Sequence, residues 1–556
     1  MSMEYGLIGK SLCHSFSPEI HRLFGDYEYG LFELAPDELD GFFRRRDFRG
    51  INVTVPYKEA VLKYLDDLST EAAEIGAVNT IINKNGRLCG YNTDFFGLCA
   101  LLEHAKISLE HRSVLILGTG GTSKTAAAVC RHFNAKSVLK VSRTPKNGEA
   151  SYEEAAKMPQ TEVVINTTPV GMYPDTEEIP IDVSAFPNLC GAVDVIYNPL
   201  RTSFVLKAGE TSTAAGGLYM LVAQAAAAAE LFTGRSIPQE KIEHAYKTVL
   251  RQKENIVLIG MPTAGKSTVG RIIAGKLGKS FFDSDELAAA LEGKSIPGIF
   301  AEGGETAFRK VEHRAIALLS KQRGTVIATG GGAVLREENM AALRKNGRLY
   351  YLERPLEALS ADENHPLSQT AEQLAALFAA RKPLYEKYCD TKITVTGGAE
   401  ETAAAVLEDF FEMNILIING PNMNMLGLRE PEIYGSTTYE ELCARLEKKA
   451  AELGIRAELF QSNHEGAIVD KIQSAYGVFD GIIINAAAYT HTSIAIPDAL
   501  RAVGIPAAEV HISDPDARED FRRVNFLRPV CVASVAGKGV SGYEEAMEIL
   551  QNRLRG

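Results

Sequence analysis

The stretch Ile256-Val-Leu-Ile-Gly260-Met-Pro-Thr-Ala-Gly265-Lys266-Ser267-Thr268 carries a short apolar run directly into the pattern G-x-x-x-x-G-K-[ST]. In such a loop the backbone amides cradle phosphates, the lysine reaches the β and γ phosphates, and the hydroxyl ligates Mg²⁺. Gly260, Gly265, Lys266, Ser267 and Thr268 are therefore the expected ATP-binding residues, with Ser267 also a Mg²⁺ ligand. The motif needs a strand before it and a helix after it. Asp283-Ser284-Asp285 follows the next apolar run, where carboxylates can serve a metal and an acceptor hydroxyl.

Outward from this loop, short apolar segments alternate with amphipathic ones along the chain, which predicts an α/β protein with parallel sheets. At 556 residues the chain is too long for one hydrophobic core. Two charged seams divide it. One is Arg251-Gln252-Lys253-Glu254-Asn255, after a helix ending near Leu250; the other follows the helix 400–412, where Met413-Asn414 opens a strand 415–418. The expected domains are 1–250, 254–412 and 413–556. Apolar residues make up 46% and charged residues 23%, and the formal charge is −12. That balance argues against nucleic-acid and anionic-membrane partners, so an anionic substrate must meet local clusters of Arg and Lys. Eight scattered cysteines without a C-x-x-C pair suit reduced thiols in a cytoplasm, with neither disulfides nor a zinc site. The N-terminus has no signal-peptide pattern. The most apolar stretch, 218–232, contains Gln224 and Glu230 and is too short to span a bilayer, so it reads as a buried helix, with Ala225–Ala229 in tight helix packing.

In the first segment the strand Val114–Leu117 runs into Gly118-Thr-Gly120-Gly121-Thr-Ser123, glycines that let backbone N–H groups approach a pyrophosphate. The next strand ends in Ser142-Arg143-Thr144, with an arginine where an NAD site wants an acid; a guanidinium can pair with a 2′-phosphate, which favours NADP. Ahead of these lie Ser15-Phe16-Ser17, Asn52-Val-Thr54-Val-Pro56-Tyr-Lys58, Gly76-Ala-Val-Asn79 and Asn92-Thr93-Asp94; Asn166-Thr-Thr168, Asp194-Val-Ile-Tyr197 and Gly217-Leu-Tyr-Met-Leu-Val-Ala-Gln224 follow. Together the blocks resemble shikimate dehydrogenase. The resemblance implies a two-lobed fold with a Rossmann NADP lobe, and a Lys58–Asp94 pair that protonates the developing alkoxide. It implies Ser15, Ser17, Thr54, Asn79, Tyr197 and Gln224 as substrate-binding residues. Gly118, Gly120, Gly121, Ser142, Arg143, Thr144 and Gly217 would bind NADP(H). Only 30 residues separate His21 from Asn52, short for this family, so the substrate lobe is expected to be trimmed there.

The middle segment continues with Phe308-Arg309, Gly330-Gly331-Gly332 and Arg381-Lys-Pro-Leu-Tyr385, and resembles shikimate kinase. The resemblance implies a P-loop kinase fold with Asp283 supporting Mg²⁺ and Asp285 orienting the acceptor hydroxyl. Arg309 and Arg381 would grip the shikimate carboxylate, and Gly330–Gly332, with Gly331 and Gly332 at the substrate, would let the backbone pass close to the ring. The chain departs from the family at the lid, where His365-Pro-Leu stands in place of Arg-Pro-Leu and no Lys or Arg lies between Arg354 and Arg381. An unperturbed histidine is mostly neutral above pH ~6.5. A weak kinase whose rate falls as pH rises is the expectation.

The last segment contains Asn419-Gly-Pro-Asn422, Arg429-Glu-Pro-Glu-Ile-Tyr434, Gln461-Ser-Asn463, Asn485, His491-Thr-Ser493, Glu509-Val-His511-Ile-Ser513 and Ala517-Arg518-Glu-Asp-Phe-Arg522. It resembles type II 3-dehydroquinase, a flavodoxin-like fold. The resemblance implies Tyr434 as base, its pKa lowered by Arg429 and Arg518. Asn422 would hold a water at the enolate, and His511, oriented by Glu509, would protonate the leaving hydroxyl. Asn485, His491, Asp498, Ile512, Ser513 and Arg522 would hold the ring and its carboxylate. Neither metal nor Schiff base is required. Ala487 stands where the family has Gly, a steric change expected to be tolerated.

The three inferred activities are consecutive steps from 3-dehydroquinate to shikimate 3-phosphate, with NADP(H), ATP and Mg²⁺ as cofactors. A catabolic, NAD-linked quinate/shikimate dehydrogenase fusion is disfavoured by Arg143 and the attached kinase. The alternative is a bifunctional enzyme whose kinase segment serves only as a nucleotide-binding or scaffolding module. The dehydroquinase resemblance also implies a homo-oligomer, up to a dodecamer built from trimers.

Overall fold

The computed structural model describes residues 4–12, 15–359, 370–411, 413–428, 437–476, 478–517 and 523–555. Tyr434, Arg429, Arg518, Arg522 and His365 lie outside them. The chain forms two compact units. One comprises Met1–Ile237, His244–Ser267 and Gly278–Lys392; the other comprises Pro238–Glu243, Thr268–Leu277 and Ile393–Gly556.

The first unit holds three sheets. Strands β1 (Tyr5–Gly9), β2 (Tyr29–Glu33), β3 (Gly50–Val53), β4 (Asp67–Leu68), β5 (Thr80–Lys84) and β6 (Arg87–Tyr91) line up as β2-β1-β3-β5-β6-β4. This sheet corrects the parallel expectation, because β5 runs antiparallel to both β3 and β6. The cause is local. Asn85 (φ +57°) and Gly86 (φ +88°) form a two-residue hairpin turn, which needs left-handed backbone at both positions. Between His21 and Asn52 the substrate lobe keeps only β2, a single turn at Pro36–Glu38 and the helix Leu39–Arg45.

The second sheet comprises β7 (Ser113–Leu117), β8 (Ser137–Val141), β9 (Glu149–Ala150), β10 (Val163–Asn166), β11 (Gly191–Asp194) and β12 (Thr213–Ala215). Its order, β12-β11-β10-β7-β8-β9, is that of a doubly wound dinucleotide fold, whose switch point lies between β7 and β10. The apolar stretch forms the helix Leu218–Thr233, with Ala225, Ala226, Ala228 and Ala229 buried. It packs so closely on the helix Thr93–His104 that a Cβ on Gly97 would stand 2.7 Å from the Met220 carbonyl oxygen.

The third sheet orders β13 (Asn255–Ile259), β14 (Phe281–Asp283), β15 (Val326–Ala328), β16 (Gly347–Glu353) and β17 (Thr391–Thr394) as β14-β15-β13-β16-β17. In the second unit β18 (Met413–Asn419), β19 (Ile455–Gln461), β20 (Gly481–Asn485), β21 (Ala507–His511) and β22 (Ala533–Ala536) are all parallel, in the order β19-β18-β20-β21-β22. That is the flavodoxin-like order. Ile415 and Ile417 of β18 enter one core and Leu416 and Ile418 the other, so both faces of this strand are buried, as a parallel sheet requires. Among the described residues no helix is long and apolar enough to cross a membrane.

The first charged seam is not a loose linker. Arg251-Gln252-Lys253 is the last turn of the helix Gln239–Lys253, and Asn255 begins β13. The Lys279 ammonium donates to the carbonyls of Arg251 (2.7 Å) and Glu254 (3.0 Å), capping the helix end with a cation. Glu254 is 3% exposed; one carboxylate oxygen meets Arg201 at 3.1 Å and the other meets Arg348 at 3.2 Å. Glu254→Ala removes the buried carboxylate that Arg201 and Arg348 share and is expected to cost about 3 kcal/mol. Thermal unfolding of the full chain checks this: a midpoint lowered by several degrees is expected, and an unchanged one contradicts it.

Candidate functional site

Three clusters of chemically capable side chains form, two just beyond the ends of strands and the third on the last residues of a strand. In the first, Lys58 follows β3 and Asp94 follows β6. The Lys58 ammonium donates to Asp94 at 2.6 Å, both side chains being largely buried. Asn79 accepts from the Thr93 backbone N–H at 2.7 Å and donates to the Thr93 hydroxyl at 3.0 Å. The Gln224 side-chain oxygen lies 3.5 Å from the Asn79 amide and 3.4 Å from the Thr93 hydroxyl, which brings the helix Leu218–Thr233 into the cluster. Ser15 donates to Ser17 at 3.1 Å, and the ring of Phe16 between them lies 5.1 Å from that of Tyr197. Thr54, half-buried, donates its N–H to Ile8. Asp194, to which sequence reasoning gave no role, is the hub of the Tyr197 loop. It accepts from Asn166 (3.1 Å), the Ile196 N–H (3.0 Å) and Thr202 (2.7 Å) while burial pushes its carboxyl up to about 6.

The dinucleotide loop lies at the switch point. Gly118 has φ +105°, and Gly120 caps the helix Gly121–His132 without any side-chain bond, leaving first-turn N–H groups for an anion. A Cβ on Gly120 would meet nothing within 4 Å, so a ligand can approach the backbone there. Ser142 and the exposed Arg143 and Thr144 stand at the end of the neighbouring β8, and the Ser142 hydroxyl accepts from the Thr144 N–H at 3.2 Å. Gly217 leaves no room for a side chain, since its Cβ would lie 2.2 Å from the Val195 carbonyl oxygen. These features fit a phosphorylated dinucleotide.

The second cluster lines a pocket of about 470 Å³ that includes Ser267, Asp283, Asp285, Arg309 and Arg381. Ser267 donates to Asp283 at 2.6 Å, a pair of hard oxygens fit for Mg²⁺. Gly260 has φ +146° and Gly265 φ +93°, and Thr268, exposed, follows Ser267 in the helix Lys266–Leu277. The Lys266 ammonium donates to the carbonyls of Gly260 (2.9 Å) and Met261 (2.7 Å), and burial holds its pKa down at about 8. Asp285 carries the opposite shift: burial, with Asp283 and Glu312 nearby, raises its carboxyl to about 7, and one of its oxygens has no hydrogen-bond partner. Arg309 pairs with Glu312 at 2.8 Å and Glu305 at 2.9 Å, which still leaves guanidinium N–H groups free for a ligand. Arg381 is buried with its Nε unpartnered, and Tyr385 donates to the Gly331 carbonyl. The glycine run makes room for protein groups as well: Cβ atoms on Gly330, Gly331 and Gly332 would strike Asp285, Pro262 and Arg309 respectively.

The third cluster centres on Glu509, fully buried in the middle of β21, with His511 at the strand's end. His511 Nε2 donates to it at 2.8 Å, Asn525 at 2.9 Å and Ser534 at 2.8 Å. Burial alone would raise this carboxyl, but these bonds outweigh it and hold the pKa low. Nε2 being committed to Glu509, His511 is left with Nδ1 for a substrate. His491 stacks 6.4 Å from His511, its Nδ1 donating to the Val524 carbonyl at 2.6 Å. Asn422, at φ +66°, donates its N–H to Asn463 at 2.9 Å. Asn485 donates to Tyr543 at 2.9 Å, and Tyr543 in turn donates to Asn419. Ile512 is buried and Ser513 half-buried beside His511. Asp498 is exposed, and its ion pair among the described residues is to Arg501 at 2.8 Å. Asn525 and Ser534 were not anticipated. Ser534 had a signal only in register, since it pairs with Glu509 across β21 and β22.

Family models match along the chain: the shikimate dehydrogenase substrate binding domain over residues 7–81, the shikimate 5′-dehydrogenase C-terminal domain over 217–245, shikimate kinase over 262–411, and dehydroquinase class II over 413–551. A shikimate dehydrogenase (NADP(+)) of Clostridium perfringens is 37% identical over 262 residues, 44% of this chain and 97% of that protein. A 3-dehydroquinate dehydratase of Sulfurimonas denitrificans is 57% identical over 135 residues, 24% of this chain and 84% of that protein. One from Geotalea daltonii is 50% identical over 143 residues, 26% of this chain and 99% of that protein. The molecule is thus a multifunctional α/β enzyme of the shikimate pathway. It belongs to the shikimate dehydrogenase family in its N-terminal part and to the class II dehydroquinase family in its C-terminal part, with a shikimate kinase domain between them.

Ala487, where the resemblance to type II dehydroquinase implies a glycine, has a backbone cost as well as a steric one. Ala487 sits at φ +50°, where a Cβ is unfavourable by ~1–2 kcal/mol. Ala487→Gly is expected to stabilise the protein by up to about 1 kcal/mol, less than the full strain because glycine also frees the unfolded chain. Chemical denaturation measures it; a loss of stability would contradict the assignment.

Proposed function

We propose that segments 1–250, 254–412 and 413–556 catalyse successive steps. The last dehydrates 3-dehydroquinate to 3-dehydroshikimate, the first reduces this with NADPH to shikimate, and the middle one phosphorylates shikimate with ATP. One observation carries the reading: each segment presents, at the end of a strand or just beyond it, the proton-handling group its reaction needs. These are the Lys58–Asp94 pair, the raised carboxyl of Asp285, and the His511–Glu509 pair.

In the reduction Gly118, Gly120, Gly121, Ser142, Arg143, Thr144 and Gly217 would hold NADPH, which would supply the hydride. Lys58, oriented by Asp94, gives its proton to the oxygen that was the ketone, and Ser15, Ser17, Thr54, Asn79, Tyr197 and Gln224 hold the acceptor. In the phosphorylation Asp285 takes the proton of the acceptor hydroxyl while Arg309 and Arg381 hold the carboxylate, with Gly331 and Gly332 beside the ring. Ser267 and Asp283 would hold Mg²⁺, which spreads phosphate charge, and Lys266 adds a second cation. In the dehydration Tyr434, assisted by the charges of Arg429 and Arg518, removes the proton next to the ketone. Asn422 holds a water at the enolate, and His511 protonates the departing hydroxyl. Asn485, His491, Asp498, Ile512, Ser513 and Arg522 position the ring. The protein acts in the cytoplasm as a homo-oligomer whose sedimentation mass is a multiple of three chains, and a dodecamer is the largest expected form.

Single-step assays separate the activities. Tyr434→Phe should lower dehydration by ~10²–10⁴-fold while leaving reduction of supplied dehydroshikimate and phosphorylation of supplied shikimate near wild type. Dehydration at the wild-type rate would show that another group is the base.

The kinase has a further signature. Asp285 is raised to about 7, so its carboxylate form grows as pH rises through neutrality, and the phosphorylation rate should climb over that range. A neutral lid histidine would lower the rate at higher pH, giving a maximum near neutrality. His365→Arg should remove the falling limb and Asp285→Asn should abolish turnover. A wild-type rate that is flat from pH 6 to 8 would contradict both assignments.

A further inference from the structure

The turn between the helix Ile296–Leu319 and β15, within the kinase segment, carries Arg323, and the turn is clamped on both sides. The Gln322 carbonyl accepts from the Asn255 side chain at 2.8 Å, and the Gly324 N–H donates to the Lys253 carbonyl at 2.8 Å. Gly324 has φ +65°, and a Cβ there would lie 2.2 Å from the Gln252 carbonyl oxygen, so only glycine closes the turn this tightly.

So held, Arg323 reaches the ring of Phe16, between Ser15 and Ser17. Its guanidinium carbon lies 5.2 Å from the centre of the Phe16 ring, and the Lys253 ammonium, paired with Glu19 at 2.5 Å, lies 4.7 Å from the same ring. Phe16 sits between Ser15 and Ser17 and packs on Tyr197. Burial raises the Tyr197 phenol pKa, and the Arg323 charge opposes that rise. The loop after Tyr197 is itself fastened to the kinase segment. The Leu200 N–H donates to Asn346 at 3.0 Å, the Arg201 N–H to the Lys345 carbonyl at 2.9 Å, and the Arg201 guanidinium to the Gly347 carbonyl at 2.6 Å. One donor is left over: Arg323 Nη1 is buried and has no hydrogen-bond partner among the described residues. A buried cationic donor without an acceptor is destabilising unless a ligand supplies one.

We propose that Arg323, although it lies in the kinase segment, is a substrate-binding residue of the reductase, donating from Nη1 to the carboxylate of the ring acid held by Ser15, Ser17 and Tyr197. This rests on the reductase reading above. It makes the pocket incomplete without the kinase segment and gives it a cation that selects for acids over neutral analogues.

The test uses the full chain. Arg323→Gln should raise KM for 3-dehydroshikimate by about tenfold or more, the worth of one charged hydrogen bond, with Arg323→Lys intermediate. KM for NADPH and the rate of shikimate phosphorylation should stay near wild type. Wild type should prefer the free acid over its methyl ester, and Arg323→Gln should lose most of that preference. A KM for the acid within twofold of wild type overturns the proposal. On the unaltered protein, an arginine-directed dicarbonyl reagent followed by peptide mass mapping should modify Arg323 more slowly when shikimate and NADP⁺ are present; equal rates overturn it even if the variants fold poorly. Wild type that fails to oxidise NADPH with dehydroshikimate would instead sink the reductase reading itself.

Discussion

Glu254 is nearly solvent-free and holds a guanidinium on each carboxylate oxygen, Arg201 from the loop after β11 and Arg348 from β16. A buried carboxylate is costly unless both oxygens are satisfied, so this triad admits few arrangements. Its position settles much else. Lys279 caps the helix that ends beside it, Asn255 starts the central strand of the kinase sheet, and Arg201 fixes the loop that carries Tyr197. The nucleotide loop after β13 and the reductase pocket therefore share one rigid reference point.

All the proposed substrates are anions, while the chain carries a formal charge of −12. The sites answer this with cations withdrawn from water, where a charge acts more strongly. Lys266 and Arg381 are buried, Lys58 is nearly so, and Arg309 is held between two glutamates. Asp285 shows the converse. Among other carboxylates and away from solvent, it becomes a group that exchanges its proton near neutral pH, as a base for a hydroxyl should.

What the sequence reveals and what it hides follows from the kind of interaction. The phosphate loop and the Rossmann-type turn are legible because backbone geometry ties particular residue types to short motifs, whereas Lys58, Asp94, Glu509 and His511 are legible through the family resemblance alone. The Glu254 triad is hidden, since its partners lie 53 and 94 residues away and a run of charges reads as a linker. Ser534 is hidden because its role exists only once β21 and β22 are in register, and Asn525 because it reaches Glu509 from a loop that no motif marks. The Asn85-Gly86 hairpin was missed although Asn-Gly is a strong turn signal, and it explains why the first sheet is mixed. Ala487 reads as a modest steric change until its backbone angle is known.

The central claim is that one polypeptide performs three consecutive reactions, and the most direct measurement is a single incubation. Purified full-length protein is mixed with 3-dehydroquinate, NADPH and ATP–Mg²⁺, and the products are followed by mass spectrometry. The account predicts the transient appearance of 3-dehydroshikimate and shikimate and the accumulation of shikimate 3-phosphate, with NADPH and ATP each consumed once per molecule of product. Conversion that stops at shikimate with ATP untouched would contradict it.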